Sequence, residues 1–239
     1  MNTQKMQSKI SKYKNNEMTQ TLLKSLIKGS YIRAVNYHET YSKDKSKFEK
    51  QLAFLRRHFS PVSMEDLDRF YKEKKWQKEK PGLIISLFEG YKNNYEVFLP
   101  LLQKYGFVGW YFVPAQFLEI NVEDQQQFAD NHTIYYNEDI YNGERMAMSG
   151  QELKEIAQNH VICSHTMTHF RFDNETPEDI LQREIIESKT LLEEKTNSKV
   201  DVFCWLGGED FKKDSKVTKY INKAGYRYLY SNNKIEKIR

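Results

Sequence analysis

His165 and His169 stand four residues apart in the stretch Ser164-His-Thr-Met-Thr-His169. Two neutral imidazoles at this spacing can converge on one divalent cation, because histidine nitrogen is a common ligand for zinc and its neighbours in the first transition row. A third ligand is then required. Without one, the same pair describes two polar loop histidines bonded to backbone or water. The apolar run Val161-Ile162-Cys163 leads into the pair and places it where a buried strand emerges into a loop, a usual position for chemistry on a scaffold.

The elements around that strand follow from periodicity and punctuation. Residues 1–16 are polar with little to bury, whereas Leu22, Leu23, Leu26 and Ile27 form a helical stripe that stops at Gly29; 1–29 is expected as a polar segment with a short helix. Residues 31–37 read as a strand with His38 and Glu39 at its C-terminal end. A helix beginning near Asp44 carries Phe48, Leu52, Leu55 and Phe59 on one side, and Ser63 with Asp66 resembles a capping box for another through about Lys74. Residues 83–88 have the β-branched content of a fully buried strand, ended by Glu89-Gly90. Residues 94–104 form the next expected helix and 108–113 the next strand, a βαβ unit and hence part of a parallel sheet or barrel. The stretch 119–148 is polar and aromatic without a period and is expected as a long loop.

Ser149 with Glu152 caps a helix to about Asn159, and Thr176-Pro177 opens the longest helix, to about Lys195. Strands at 200–206 and 226–230 bracket a helix at 215–223. Roughly seven strands alternating with helices favour one (β/α) barrel domain, over residues 30–239, rather than an open doubly wound sheet.

Composition narrows the partners. Lys and Arg number 37 against 33 Asp and Glu, a net +4 spread without a long single-sign run, so charge gives no argument for nucleic acid. The short basic patches at 72–80 and 212–219 read as solvated helix faces. The two cysteines, Cys163 and Cys204, lie in apolar runs and read as small core residues rather than a disulfide framework. No run of 18 apolar residues exists, and the first thirty residues lack the apolar core of a secretory signal. The expected location is cytoplasmic for the sequence as given, or extracellular or cell-surface if an export signal has been trimmed away.

Several ordered segments together resemble the polysaccharide deacetylase family, the NodB-homology domain of carbohydrate esterase family four, over nearly the whole chain from about Ile32. Ile85-Ser-Leu-Phe-Glu-Gly-Tyr91 is similar to the family's first motif, most often Thr-Phe-Asp-Asp-Gly-Tyr, and Ser164-His-Thr-Met-Thr-His169 to its His-Ser/Thr-x-x-His metal motif. Phe203-Cys-Trp-Leu-Gly207 resembles a degraded Tyr-Pro-x-Gly segment, and Tyr37-His38 the Tyr-His of a permuted branch that includes the poly-N-acetylglucosamine deacetylases. The resemblance implies an α/β fold, a distorted (β/α)7 barrel, and a divalent metal, zinc first with cobalt or nickel as alternatives. Its implied ligands are Glu89, His165 and His169, with His38 as the acid. The implied substrate is an acetylated amino-sugar glycan.

Two departures carry consequences. Glu89 stands where the family's ligand Asp belongs, one methylene longer, and Phe88 stands where the general base belongs. A phenyl ring accepts no proton, and general-base assistance is worth about 10²–10⁴ in rate. The base is then Glu39, Asp173, Glu209 or Asp210, or Glu89 itself with fewer protein groups on the metal. The alternative is a pseudoenzyme that binds metal or glycan without hydrolysis. Among the aromatics, Tyr91 and Trp205 adjoin motif residues at strand ends and are the candidates for substrate binding; Trp110 and Tyr111 read as core.

Overall fold

The computed structural model describes residues 31–141, 143–208, 215–231 and 234–239. The expected N-terminal helix with its Gly29 cap, and the acidic pair Glu209 and Asp210, lie outside the described residues. The strands are β1 (Ile32–Tyr37), β2 (Ser60–Pro61), β3 (Gly82–Phe88), β4 (Gly109–Val113), β5 (Val161–Ser164), β6 (Val202–Phe203), β7 (Tyr228–Tyr230) and β8 (Ile235–Lys237). They form one sheet in the order β1-β3-β4-β5-β6-β7-β8, with β2 beside the start of β3. Every pairing is parallel except β7 with β8.

Residues on alternate positions of each strand serve different interiors, as the two-residue period requires. Leu83, Ile85, Leu87, Tyr111, Val113 and Ile162 join the cluster beneath the helices. Ile84, Phe88, Trp110, Phe112, Cys163 and Tyr230 form a second cluster on the opposite face. Burial on both faces explains why β3 has no exposed residue and reads as a continuous apolar run. The sheet curls so that its ends meet through side chains: the Tyr230 hydroxyl on β7 donates to Asn36 on β1 at 2.9 Å and lies 3.0 Å from the Ser86 hydroxyl on β3. The second cluster is therefore the barrel interior.

The helices are α1 (Lys45–His58), α2 (Met64–Glu73), α3 (Leu99–Tyr105), α4 (Gln125–Asn131), α5 (Gly150–Ile156), α6 (Glu178–Leu181), α7 (Ser188–Thr196) and α8 (Lys216–Ala224). Ser63 and Ser149 each form the full capping box read from the sequence, accepting from Asp66 and Glu152 main chain while those carboxylates accept in return. A π-helical segment, Gln182–Glu187, joins α6 to α7, and another, Asn94–Phe98, precedes α3.

Three expectations are corrected. Helix α4 lies inside the supposed loop of 119–148, whose Phe128, Ile134, Tyr141 and Met146 pack with Tyr91 and Phe117 into a cluster of their own. The strand at 200–206 shortens to the two residues of β6, and the short strands β2 and β8 had no counterpart in the sequence reading. Among the described residues, no helix is long and apolar enough to cross a membrane.

Candidate metal centre

Glu89 follows β3, while His165 and His169 lie on the turn after β5. Their ligand atoms all fall within 4.8 Å of one another. Glu89 Oε1 is 3.6 Å from His169 Nε2 and 3.9 Å from His165 Nε2. All three side chains are buried.

The tautomers follow from the partners. His165 Nδ1 faces the Cys204 carbonyl at 3.2 Å, and His169 Nδ1 faces the His132 carbonyl at 2.8 Å. A carbonyl only accepts, so each Nδ1 carries the proton and each Nε2 keeps a bare lone pair. Burial, the largest influence on both rings, holds their basicity below that of free histidine. Two lone pairs and a carboxylate oxygen thus converge with no proton between them, an arrangement that repels itself unless a cation intervenes. Neutral imidazoles anchored through their far nitrogens, with a carboxylate, fit a divalent ion taking bonds of about 2.0–2.2 Å.

Backbone strain concentrates here. Outside glycine, the described residues in the left-handed region are Lys74 and Asn197, both helix C-caps, and Glu89, Thr133, Thr166 and His169, all around this site. Such residues cost about 1–3 kcal/mol each and persist where surrounding bonds over-determine them. Those bonds are present. Met148 N–H donates to the Gly90 carbonyl at 2.9 Å and Lys92 N–H to Met146 at 2.7 Å, fixing the turn after β3. Ala115 N–H donates to the Thr166 carbonyl at 3.0 Å and Gln116 N–H to Met167 at 2.9 Å, fixing the turn after β5. At Gly90, with φ of +70°, a Cβ would come within 3.0 Å of the Val113 side chain, so glycine alone fits that corner.

A cavity of about 430 Å³ opens over the three ligands. His38 stands on its wall, its Nδ1 2.7 Å from Glu89 Oε2, a bond that raises the imidazole's basicity. Its ring lies over Phe88 at 5.5 Å. Phe88 in turn stacks on Phe112 at 4.7 Å and 9° and meets the edge of His165 at 5.3 Å. Where the family pattern has a carboxylate, this chain has an aromatic floor.

Among the described residues, Glu39 is the other carboxylate lining the cavity. It sits between His38 and Thr40, and Thr40 is locked to the turn after β3 by bonds to Asn93 and Asn94. One oxygen accepts from the Tyr41 hydroxyl; the other, Oε1, is enclosed and accepts no hydrogen bond of good geometry, although the Tyr141 hydroxyl pulls on the carboxylate. Burial pushes this acid up to about 7. Asp173, an alternative from the sequence, does not line the cavity: it accepts from Glu175 N–H and the Thr176 hydroxyl, closing the turn before α6. Tyr91 and Trp205 both line the cavity, but Tyr91 is 1% exposed and donates to the Tyr135 carbonyl at 2.5 Å, so little of its ring faces open space. Trp110 and Tyr111 are fully buried away from it. Cys163 is buried in the barrel interior, and Cys204 reaches the cavity wall. Sequence reasoning missed Tyr135, an exposed ring on the cavity rim within the supposed loop, and Glu184, a buried carboxylate beneath the histidine turn.

Residues 77–229 match the family described as polysaccharide deacetylase, and the chain belongs to that family. Among curated proteins none matches it by sequence. Solved structures do. The Streptococcus pyogenes deacetylase PplD in complex with acetate is 15% identical with a TM-score of 0.63, covering 87% of this chain and 86% of that one. IcaB from Ammonifex degensii is 15% identical with a TM-score of 0.63, covering 85% and 84%. A de-N-acetylase from Aggregatibacter actinomycetemcomitans is 16% identical with a TM-score of 0.64, covering 87% and 90%. These likenesses establish the fold as the curled α/β barrel of deacetylases.

Proposed function

We propose that this chain is a metal-dependent de-N-acetylase that hydrolyses an acetamide on an amino-sugar glycan. The observation that carries the reading is the convergence of Glu89 with two unprotonated Nε2 atoms whose opposite nitrogens are anchored to carbonyls. Glu89, His165 and His169 hold the ion, zinc being the first candidate and cobalt or nickel the alternatives. When bound, such an ion polarises the acetyl carbonyl and lowers the pKa of water.

The chain's own groups supply the proton transfers. Among the described residues two carboxylates line the cavity; Glu89 is committed to the ion, and Glu39 is assigned the proton of the attacking water as oxygen bonds to the carbonyl carbon. His38, held by Glu89, donates a proton to nitrogen as the carbon–nitrogen bond breaks, leaving acetate and a free amine. Tyr91 and Trp205 contribute to the wall against which the sugar rests. Acetate release from acetylated amino-sugar oligomers, with zinc, cobalt or nickel added, tests the reading. Glu39→Gln is expected to lower turnover by about 10²-fold or more while retaining the ion, and to abolish an acid limb near pH 7 below which the wild type loses rate because the base is protonated.

The Phe88 stack on Phe112 favours one other reading, a barrel that binds metal or glycan but does not hydrolyse. Stoichiometric metal without acetate release from the wild type, and acetate release from Phe88→Asp, would establish that reading instead.

A further inference from the structure

Glu184 is a carboxylate that nothing in the chemistry above uses, yet it is 1% exposed. It lies on the π-helical segment between α6 and α7 and, besides a long bond from its neighbour Arg183, accepts three hydrogen bonds from residues 167 and 168, two of the three residues between His165 and His169. Met167 N–H donates at 3.0 Å, Thr168 N–H at 2.9 Å and the Thr168 hydroxyl at 2.9 Å. Arg183, next to it, lies 3.5 Å from Glu184 Oε1 and donates to Gln116 at 2.6 Å. Gln116 N–H in turn donates to the Met167 carbonyl. The turn is thus held from both sides: its main-chain donors by Glu184, its carbonyls by the segment after β4.

We infer that Glu184 is a positioning residue for the metal centre, clamping residues 167 and 168 so that the two imidazoles present Nε2 to one point. The clamp has work to do because Thr166 and His169 both have left-handed backbones, with φ of +67° and +64°. An unclamped turn relaxes toward ordinary φ and swings His169 away from Glu89. A buried carboxylate is costly unless its oxygens are bonded, and here both are bonded by the turn it orders. A wider π turn, a feature often found at functional sites, occupies the stretch of helix from which Glu184 reaches inward.

This inference rests on the metal reading, and the test separates the two. Titrate the full chain with cobalt(II), reading affinity and the visible ligand-field spectrum. Glu184→Gln, which removes the charge from the clamp and sets an amide NH₂ against either the main-chain donors or Arg183, is expected to weaken binding by about 10–100-fold and to shift the spectrum. Thr168→Val, a milder change, is expected to move both in the same direction by less. Leu192→Ala on α7, a buried residue that makes none of the hydrogen bonds of the clamp, is expected to lower the melting temperature and to leave affinity and spectrum unchanged. If Glu184→Gln and Thr168→Val bind cobalt as the wild type does, or if Leu192→Ala perturbs the spectrum equally, Glu184 has only a structural part. If the wild type binds no cobalt, the metal reading fails first and the inference with it.

Discussion

The turns after β3 and β5 face each other across one cavity and have diverged from the family pattern to different degrees. The β5 turn keeps both histidines of the motif, and in this chain they have carbonyl anchors and a bonded buried carboxylate beneath them. The β3 turn has exchanged one carboxylate for Phe88 and lengthened the other to Glu89. The difference teaches which features are interdependent. An imidazole lone pair has one useful direction, so its tautomer, turn and supports must be kept together. A carboxylate on a flexible stem tolerates an added methylene, and a base that only receives a proton can be supplied from another wall, as proposed for Glu39.

Three experiments sharpen or break this contrast, and the first has the largest expected effect. His169→Ala removes a proposed ligand rather than a supporter and is expected to weaken metal binding by more than the roughly 100-fold lost with a supporting partner, read by equilibrium dialysis. Loss of no more than tenfold would mean that the β5 turn is not the rigid half.

The second uses His160, a histidine at the opposite end of β5 that takes no part in the site. It accepts from Gly109 N–H through Nδ1, its Nε2 is buried without a partner, and burial lowers its pKa from 6.5 to about 4. The folded value lies below the unfolded one, so its contribution is full above about pH 6.5 and is lost as pH falls through about 4. At most about 3 kcal/mol is involved. Urea midpoints measured across that window should fall in the wild type and fall less in His160→Gln.

The third and smallest is Glu89→Asp, which restores the family's residue at one position. Shortening the stem pulls the carboxylate away from its 2.7 Å bond to His38, and metal affinity is expected to drop by about tenfold. Equal or tighter binding would show that the β3 turn has not adapted to the longer side chain.

Much of this molecule was legible because particular residues announce local geometry. The run at β3 and the Ser63 and Ser149 capping boxes each depend on neighbours only a few positions away. The three proposed ligands were legible through motif resemblance, and the structure brings them together. What was illegible depends on distant partners. Helix α4 has seven residues, three of them buried, too short for its period to stand out among glutamines. Strands β2 and β8 have two and three residues and exist only because β3 and β7 offer edges. Glu184 occurs in a helix rich in charged residues, where an acid ordinarily means solvent; only the position of the histidine turn distinguishes it. Tyr91 followed the motif, but its burial comes from the 119–148 segment folding over it.

The left-handed backbone at Glu89, Thr166 and His169 has a consequence for anyone who would improve this protein. Glycine at those positions would remove the Cβ conflict, and the folded chain would resist heat better while, at Glu89 and His169, forfeiting a proposed ligand. A library screened only for thermal tolerance should therefore enrich small residues at these three places, turning the survivors into a map of where robustness and chemistry compete.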